Sequence, residues 1–272
     1  MLGIKANLLA NSIPEILKLI DFVGESCVLE LHTEPRDFDK QKELAKKLIH
    51  PLLERVVVHS AAAIEGCPSD PLVNQKGYGN CVSQIGIVPE GGAIIFHPFG
   101  YGISPDKRWK TIEEDFRVTS EFANIAEEKN VGVLKENITV GYPFPHGRSA
   151  EDMEFLTRHS NIKMCLDFSH QGLTANYSGK DPYFREEWKR YLPHFDLKSF
   201  LLLKPKYFHV SDHKGTMEEG LEIGAGERDW SSIKGIDGVF VIEIKGQHEN
   251  DFSILKKNLP RLRNVLAGKP PC

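Results

Sequence analysis

Basic residues are not in excess: 34 Lys and Arg stand against 38 Asp and Glu, for a formal net charge of -4. No basic stripe advertises nucleic acid, although a local patch can sit on an acidic chain. Cysteine is sparse, at five in 272 residues, and no two form a CxxC pair. That odd, scattered set excludes a disulfide-rich scaffold and a zinc ribbon. Cys27 and Cys165 fall inside apolar strand-like runs and read as buried free thiols. Cys67 and Cys81 share one long segment, where free thiols fit a reducing compartment better than a disulfide or a small zinc site. Long apolar runs are missing, so no segment is expected to span a bilayer. The N-terminus lacks the basic-then-apolar pattern of a signal peptide. A cytoplasmic protein without a membrane partner is the expectation.

What is present is a series of short β-like runs that stop on metal-binding side chains. They are residues 55–59 (RVVVH), 93–97 (AIIFH), 131–136 (VGVLKE), 162–167 (IKMCLD), 206–209 (KYFH) and 239–243 (VFVIE). Each is apolar and β-branched or aromatic, then ends on His59, His97, Glu136, Asp167, His209 or Glu243. The spacings leave room for a helix between runs. In a parallel barrel the carboxyl ends of all strands meet on one face, where chemistry is built. Six such endings predict one rim carrying a metal site.

The rest of the chain continues the alternation. A first strand is expected over residues 3–9 and a second over 27–32. Ser12, Pro14 and Glu15 read as a helix start. Further helices are expected at 39–49, 110–128, from Ser149, at 183–191 and at 252–266. Along 110–128, Ile112, Phe116, Val118, Phe122, Ile125 and Ala126 form the apolar face, and Asp115 reads with the neighbouring glutamates as a solvated charge. Residues 60–91 read as a long irregular segment in the site wall, and 171–181 as a mobile connection. Arg148, Lys180 and Lys214 read as surface charges that could meet a phosphate or carboxylate. Eight strands interleaved with helices predict a single-domain (β/α)8 TIM barrel over residues 1–272, with 268–272 a tail and no internal repeat.

Three carboxylates and an imidazole, Glu136, Asp167, His209 and Glu243, suit a divalent ion such as Mn, Mg, Co or Zn. His59 and His97 make the rim richer in nitrogen and shift the expectation toward zinc. Six ligands exceed what one tetrahedral ion needs, so one or two ions fit, two being bridged by a carboxylate. Carboxylates at the ends of buried strands repel unless a cation lies between them, because unpaired buried charge is costly. His170, three residues beyond Asp167, can reach inward as a ligand or a substrate contact. Asp212, three beyond His209, can orient a ligand from behind or hold a substrate hydroxyl. The turn at Gly224 and Gly226 offers backbone N–H groups, a weak signal.

The segments around Glu30 (VLEL), His59 (VHS), His97 (FHP), Glu136 (KENI), Asp167 and His170 (LDFSH), His209 and Asp212 (HVSD), residues 223–230 (IGAGERDW) and Glu243 (IE) resemble the xylose isomerase-like barrel superfamily over nearly the whole chain. That group includes sugar isomerases and epimerases, hydroxypyruvate isomerase and endonuclease IV. The isomerase and epimerase branch implies that Glu136, Asp167, His209 and Glu243 hold one ion. It makes Glu136 and Glu243 the catalytic acid and base on opposite sides of a sugar-like substrate, with His170 on a substrate oxygen. Residues 224–230 look more like this branch. The endonuclease IV branch implies a zinc at His59, His97 and Glu136, a second at Glu136, Asp167, His209 and Glu243, and a third at His170 with an Asp and a His from the loop after strand seven. That loop reads EEGLE at 218–222 and has no histidine; Glu218 could stand for the Asp. Ala62 replaces an expected Tyr. These departures argue against abasic-DNA repair, and nucleic acid is a partner only under this alternative. A two-metal phosphodiester hydrolase stays open, as does a barrel that binds metal without catalysis. Barrels of this type often pair, which allows a homodimer.

Overall fold

The computed structural model describes residues 1–60, 70–72, 75–100, 107–139, 146–177, 194–246 and 252–271. Eight parallel strands close a barrel: β1 (Leu2–Asn7), β2 (Cys27–His32), β3 (Leu53–His59), β4 (Ala93–Phe96), β5 (Gly132–Glu136), β6 (Ile162–Asp167), β7 (Tyr207–Val210) and β10 (Val239–Ile242). The last strand pairs with the first, Leu2 beside Phe240 and Gly3 beside Val241, which closes the ring. Between β7 and β10 the chain adds an antiparallel hairpin of β8 (Asp212–Lys214) and β9 (Glu218–Leu221). The (β/α)8 barrel expected from the alternating runs is therefore the architecture observed.

Side chains on a strand alternate between faces, and here the alternation separates two cores. Outward residues such as Ile4, Leu29, Val58, Phe96, Met164, Leu166, Phe208 and Phe240 join the large cluster beneath the helices. A smaller cluster of Val28, Val57, Ala93, Ile95, Leu134, Cys165, Tyr207, Val239 and Val241 plugs the barrel interior. Burying a branched or aromatic side chain is worth about 1.5–3 kcal/mol, so these two layers supply the driving force for closure.

The helices are α1 (Ile13–Val23), α2 (Phe38–Ala45), α3 (Gln75–Ile85), α4 (Arg108–Glu127), α5 (Ala150–Leu156), α6 (Phe168–Tyr177), α7 (Leu197–Leu202) and α8 (Ser253–Leu266). α1 begins at the expected capping box, Ser12 accepting from the Glu15 amide and Glu15 accepting from the Ser12 amide. Ser149 caps α5 by accepting from the Asp152 amide, without the reciprocal bond. β1 stops at Asn7 rather than Leu9 because the Asn7 side chain accepts from the Leu9 amide at 2.8 Å and turns the chain.

Several expectations need correction. Within residues 60–91, α3 occupies Gln75–Ile85; 61–69 and 73–74 lie outside the described residues. Residues 171–177 are helical, since α6 starts directly after β6. The helix expected at 183–191 falls outside the described residues. Asp115 is fully buried: it accepts from Lys135 Nζ at 2.6 Å, His146 Nε2 at 2.8 Å and the Phe99 amide at 3.0 Å. Lys135 points outward from β5 and needs a counter-charge beneath α4, which a helical wheel of apolar residues does not reveal. Arg148 is likewise buried, not solvated.

Candidate metal centre

Each inward-facing strand steps in two residues from the apolar plug to a polar side chain at the carboxyl end. The steps are Gly3 to Lys5, Val28 to Glu30, Val57 to His59, Ile95 to His97, Leu134 to Glu136, Cys165 to Asp167, Tyr207 to His209 and Val241 to Glu243. The period of two puts every one of these on the inside. All six expected metal-binding residues are thereby brought into one ring, and Lys5 and Glu30 join them.

Glu136 is the hub. Its Oε1 lies 3.0 Å from His209 Nδ1 and 3.5 Å from His170 Nδ1. Its Oε2 lies 3.2 Å from His97 Nε2 and 3.5 Å from His59 Nε2. The two imidazole Nε2 atoms are 3.3 Å apart. Glu243 Oε2 also meets His209 Nδ1, while its Oε1 meets Lys5 Nζ. Asp167 is fixed by Asn137, whose Oδ1 accepts from the Asp167 amide at 2.7 Å, and its own Oδ1 accepts from the His170 amide at 2.6 Å.

Charge at the ring is strongly coupled to these contacts. Burial would push the Glu30, Glu136 and Glu243 carboxyls up, but His209 and the other nearby cations hold all three well below the usual range. Burial would lower the His209 imidazole, and Cys165 with the carboxylates of Glu136, Glu243 and Glu30 instead raises it well above its ordinary value. Asp167 is pushed up to about 6 by burial, with His170 opposing and Glu136 and Glu243 adding to the rise. Burial also works against His170, but Asp167, Glu219 and Glu136 raise it to about 9. His59 moves the other way, lowered by burial and then by Lys5. The ring thus attracts positive charge at the point shared by Glu136, Glu243 and His209.

The donor atoms fit a divalent cation at that point. Glu136 Oε1 and Oε2, His209 Nδ1 and Glu243 Oε2 are buried and lack any well-aligned hydrogen bond, a costly state for native polar groups. Two ligand groups with all donor atoms within 4.8 Å suit an ion: Glu136, Asp167, His209 and Glu243; and His59, His97 and Glu136. A third, Glu30, His59, His209 and Glu243, has the same compactness. There the Lys5 ammonium already lies 3.0 Å from Glu30 Oε1 and 2.8 Å from His59 Nδ1, and also meets Glu243, so the chain supplies its own cation. A fourth set adds Cys165 to Glu136 and His209; burial pushes that thiol up, which disfavours the thiolate an ion requires.

His170 stands at the rim, with Nδ1 2.9 Å from the Asn137 carbonyl and Nε2 3.6 Å from Glu219 Oε2. Glu219, not Glu218, faces it; Glu218 is exposed at the hairpin register with Lys214. Asp212 opens β8, just beyond β7. Its carboxylate accepts from the amides of His213, Gly224 and Arg228 and from Trp230 Nε1, at 2.9 to 3.1 Å. The IGAGERDW turn is thus wrapped around Asp212, and the protein's own donors fill its acceptor sites. Lys5, Glu30 and Glu219 escape a reading based on strand endings. For Lys5 and Glu30 the signal was the same two-residue step, hidden because β1 and β2 run on past them. A depression of about 510 Å³ near Arg55, Lys163 and Tyr207 lies under the plug, at the opposite mouth from the ring.

The chain belongs to the xylose isomerase-like TIM barrel family, whose profile matches residues 20–265. Among solved structures it is similar to an L-ribulose 3-epimerase (TM-score 0.64, 14% identity, 98% of this chain and 94% of that one). It is also similar to a D-tagatose 3-epimerase-like protein (0.61, 17%, 97% and 98%). A Thermus thermophilus protein from crystals soaked in zinc chloride matches at 0.63 and 14%, over 95% and 97%. At these identities the likeness shows the fold alone. No curated protein matches the sequence.

Proposed function

We propose that this protein is a divalent-metal-dependent isomerase or epimerase of a small sugar-like hydroxycarbonyl compound. One observation carries the reading: two ionised glutamates, Glu136 from β5 and Glu243 from the end of β10, converge on the same His209 nitrogen with Asp167 beside them. Glu136, Asp167, His209 and Glu243 would hold the ion, zinc or manganese. The ion would polarise a substrate carbonyl and its neighbouring hydroxyl, making the adjacent C–H acidic. One glutamate, ionised, takes that proton as base; the other, having first taken up a proton from solvent, delivers it to the opposite face and inverts the carbon, so the two exchange protonation states in a turnover. Return of the abstracted proton to the former carbonyl carbon, with the neighbouring hydroxyl proton passing to the former carbonyl oxygen, gives an isomer instead. His170, charged at neutral pH, donates to a substrate oxygen. The L-ribulose 3-epimerase and the D-tagatose 3-epimerase-like protein among similar folds support this substrate class.

The test is exchange in D2O. Metal-loaded protein incubated with a panel of ketoses is expected to wash deuterium into the carbon beside the carbonyl, read by proton NMR. Absence of exchange with every ketose and aldose tried would reject the proposal.

A second reading rests on a separate observation, the triad of His59 Nε2, His97 Nε2 and Glu136 Oε2, which has no task in a one-ion isomerase. A second ion there, bridged through Glu136, suits a phosphodiester hydrolase. Metal content separates the two. Two equivalents falling to one in a His59→Ala/His97→Ala variant favour the hydrolase, and one equivalent unchanged favours the isomerase.

A further inference from the structure

Glu30 is fully buried on β2, yet neither branch of the chemistry assigns it a task. Its Oε1 lies 3.0 Å from His59 Nδ1 and its Oε2 2.8 Å from His209 Nε2. We propose that Glu30 is a positioning residue that sets the proton of two ion-holding histidines at once, taking the Nδ1–H of His59 and the Nε2–H of His209. The inference rests on the reading that the ring holds divalent ions, and adds how the ring is made ready for them.

A neutral imidazole has one N–H and one lone pair, and the bond made at one nitrogen decides what the other offers. Once an ion takes the place of the second proton that the carboxylates favour on His209, the proton left on Nε2 frees the Nδ1 lone pair toward Glu136 and Glu243. With the proton of His59 on Nδ1, its Nε2 lone pair faces His97 and Glu136. The same carboxylate thus prepares the ligand sets on both sides of Glu136. The two rings suit this, stacking with centroids 5.3 Å apart and planes 20° from parallel. Glu30 itself is kept an acceptor by Lys5 at its Oε1 and by the Tyr207 hydroxyl, 2.8 Å from its Oε2. A core ion pair alone would need Lys5 and nothing more; here each oxygen is aimed at a different histidine.

A rival arrangement is present in the same geometry. Lys5 Nζ lies 2.8 Å from His59 Nδ1, and an ammonium can only donate. If Lys5 held that nitrogen, the His59 proton would move to Nε2 and block the His97 side. Lys5, however, already has two anionic acceptors in Glu30 and Glu243, whereas a His59 Nδ1–H would have Glu30 as its anionic acceptor at bonding distance.

Zinc alone is the probe. In zinc-loaded wild-type protein, two-bond proton–nitrogen NMR of the histidines should place the His209 proton on Nε2 and the His59 proton on Nδ1. A His59 proton on Nε2, or a His209 proton on Nδ1, overturns the proposal without any variant. Glu30→Gln offers one acceptor and one donor in place of two acceptors. It should weaken zinc binding about 10–100-fold, the usual effect of removing an outer partner of a ligand, measured by competition with a chromophoric chelator. Tyr207→Phe, which removes the hydroxyl contact to Glu30 but keeps the ring that packs edge-on against His209, should bind near the wild-type level. A folded Glu30→Gln protein with wild-type affinity defeats the role of Glu30 and leaves the metal centre standing. Failure of wild-type protein to hold zinc defeats the centre and this inference together. If Glu30→Gln does not fold, the wild-type tautomers decide.

Discussion

At the scale of single residues, the ring works because its carboxylates are ionised where a proton would normally be cheaper. Glu136→Gln and Glu243→Gln are each expected to lower turnover at least ~100-fold, the lower range of a lost acid–base group. The fold should persist, since each swap keeps shape and removes charge. Circular dichroism with a steady-state assay on the substrate found by exchange checks this; full activity in either variant contradicts the acid–base role. His170 allows a sharper experiment in EDTA-treated protein. Its imidazole rises from an ordinary 6.5 to about 9 in the folded state. A raised histidine stabilises fully below its unfolded value and loses that contribution as pH climbs through the folded one. The stability gap between wild type and His170→Gln, on the order of 3 kcal/mol from that shift, should therefore be largest near pH 6.5, just above the value of about 6 where Asp167 takes up its proton, and shrink through pH 9. Urea melts at several pH values measure it, and a gap that widens toward alkaline pH contradicts the assignment. The residues bearing these charges were legible in sequence where a strand stopped on them. Lys5 and Glu30 were not, because Asn7 and His32 continue their strands. Asp212, expected three places past His209 to orient a ligand or hold a substrate hydroxyl, accepts from neighbouring amides and from Trp230, partners that its position in the sequence does not reveal.

At the scale of elements, strand order and most helix starts followed from apolar runs and capping residues, while buried charge between elements did not. Asp115 on α4 joins Lys135 of β5, His146 and the Phe99 amide that follows β4. One carboxylate therefore ties three segments behind the rim. Asp115→Ala should cost ~3–5 kcal/mol, the usual penalty for leaving a buried partner charge uncompensated, read from urea unfolding. A loss under about 1 kcal/mol would mean that Lys135 finds another neutraliser. The hairpin β8–β9 had no legible signal: its strands are three and four residues long and polar, and they hold together through α6. Gly172 of α6 shows why: a Cβ there would come within 2.1 Å of the His213 ring. Close approach of this kind depends on two distant elements and leaves no periodic trace.

At the scale of the whole molecule, ion binding and folding should be linked. An ion held by the native ring and not by the unfolded chain adds about 2.7 kcal/mol at a hundred times its dissociation constant. For a domain of this size that corresponds to roughly 5–10 °C in melting temperature. EDTA-stripped protein is expected to melt lower by that amount and to recover on adding zinc or manganese, followed by scanning calorimetry. No change on stripping and reloading would count against a resident ion.

The seam of the barrel has a consequence for synthesis. Lys5 lies on the first strand and Glu243 just beyond the last, and their side chains meet across the junction where β1 pairs with β10. A nascent chain that does not yet include Glu243 holds most of the histidines but lacks the carboxylate that meets both Lys5 and His209. Capture of the proposed ion would wait for the last barrel strand, and a product truncated before Glu243 should hold no metal tightly.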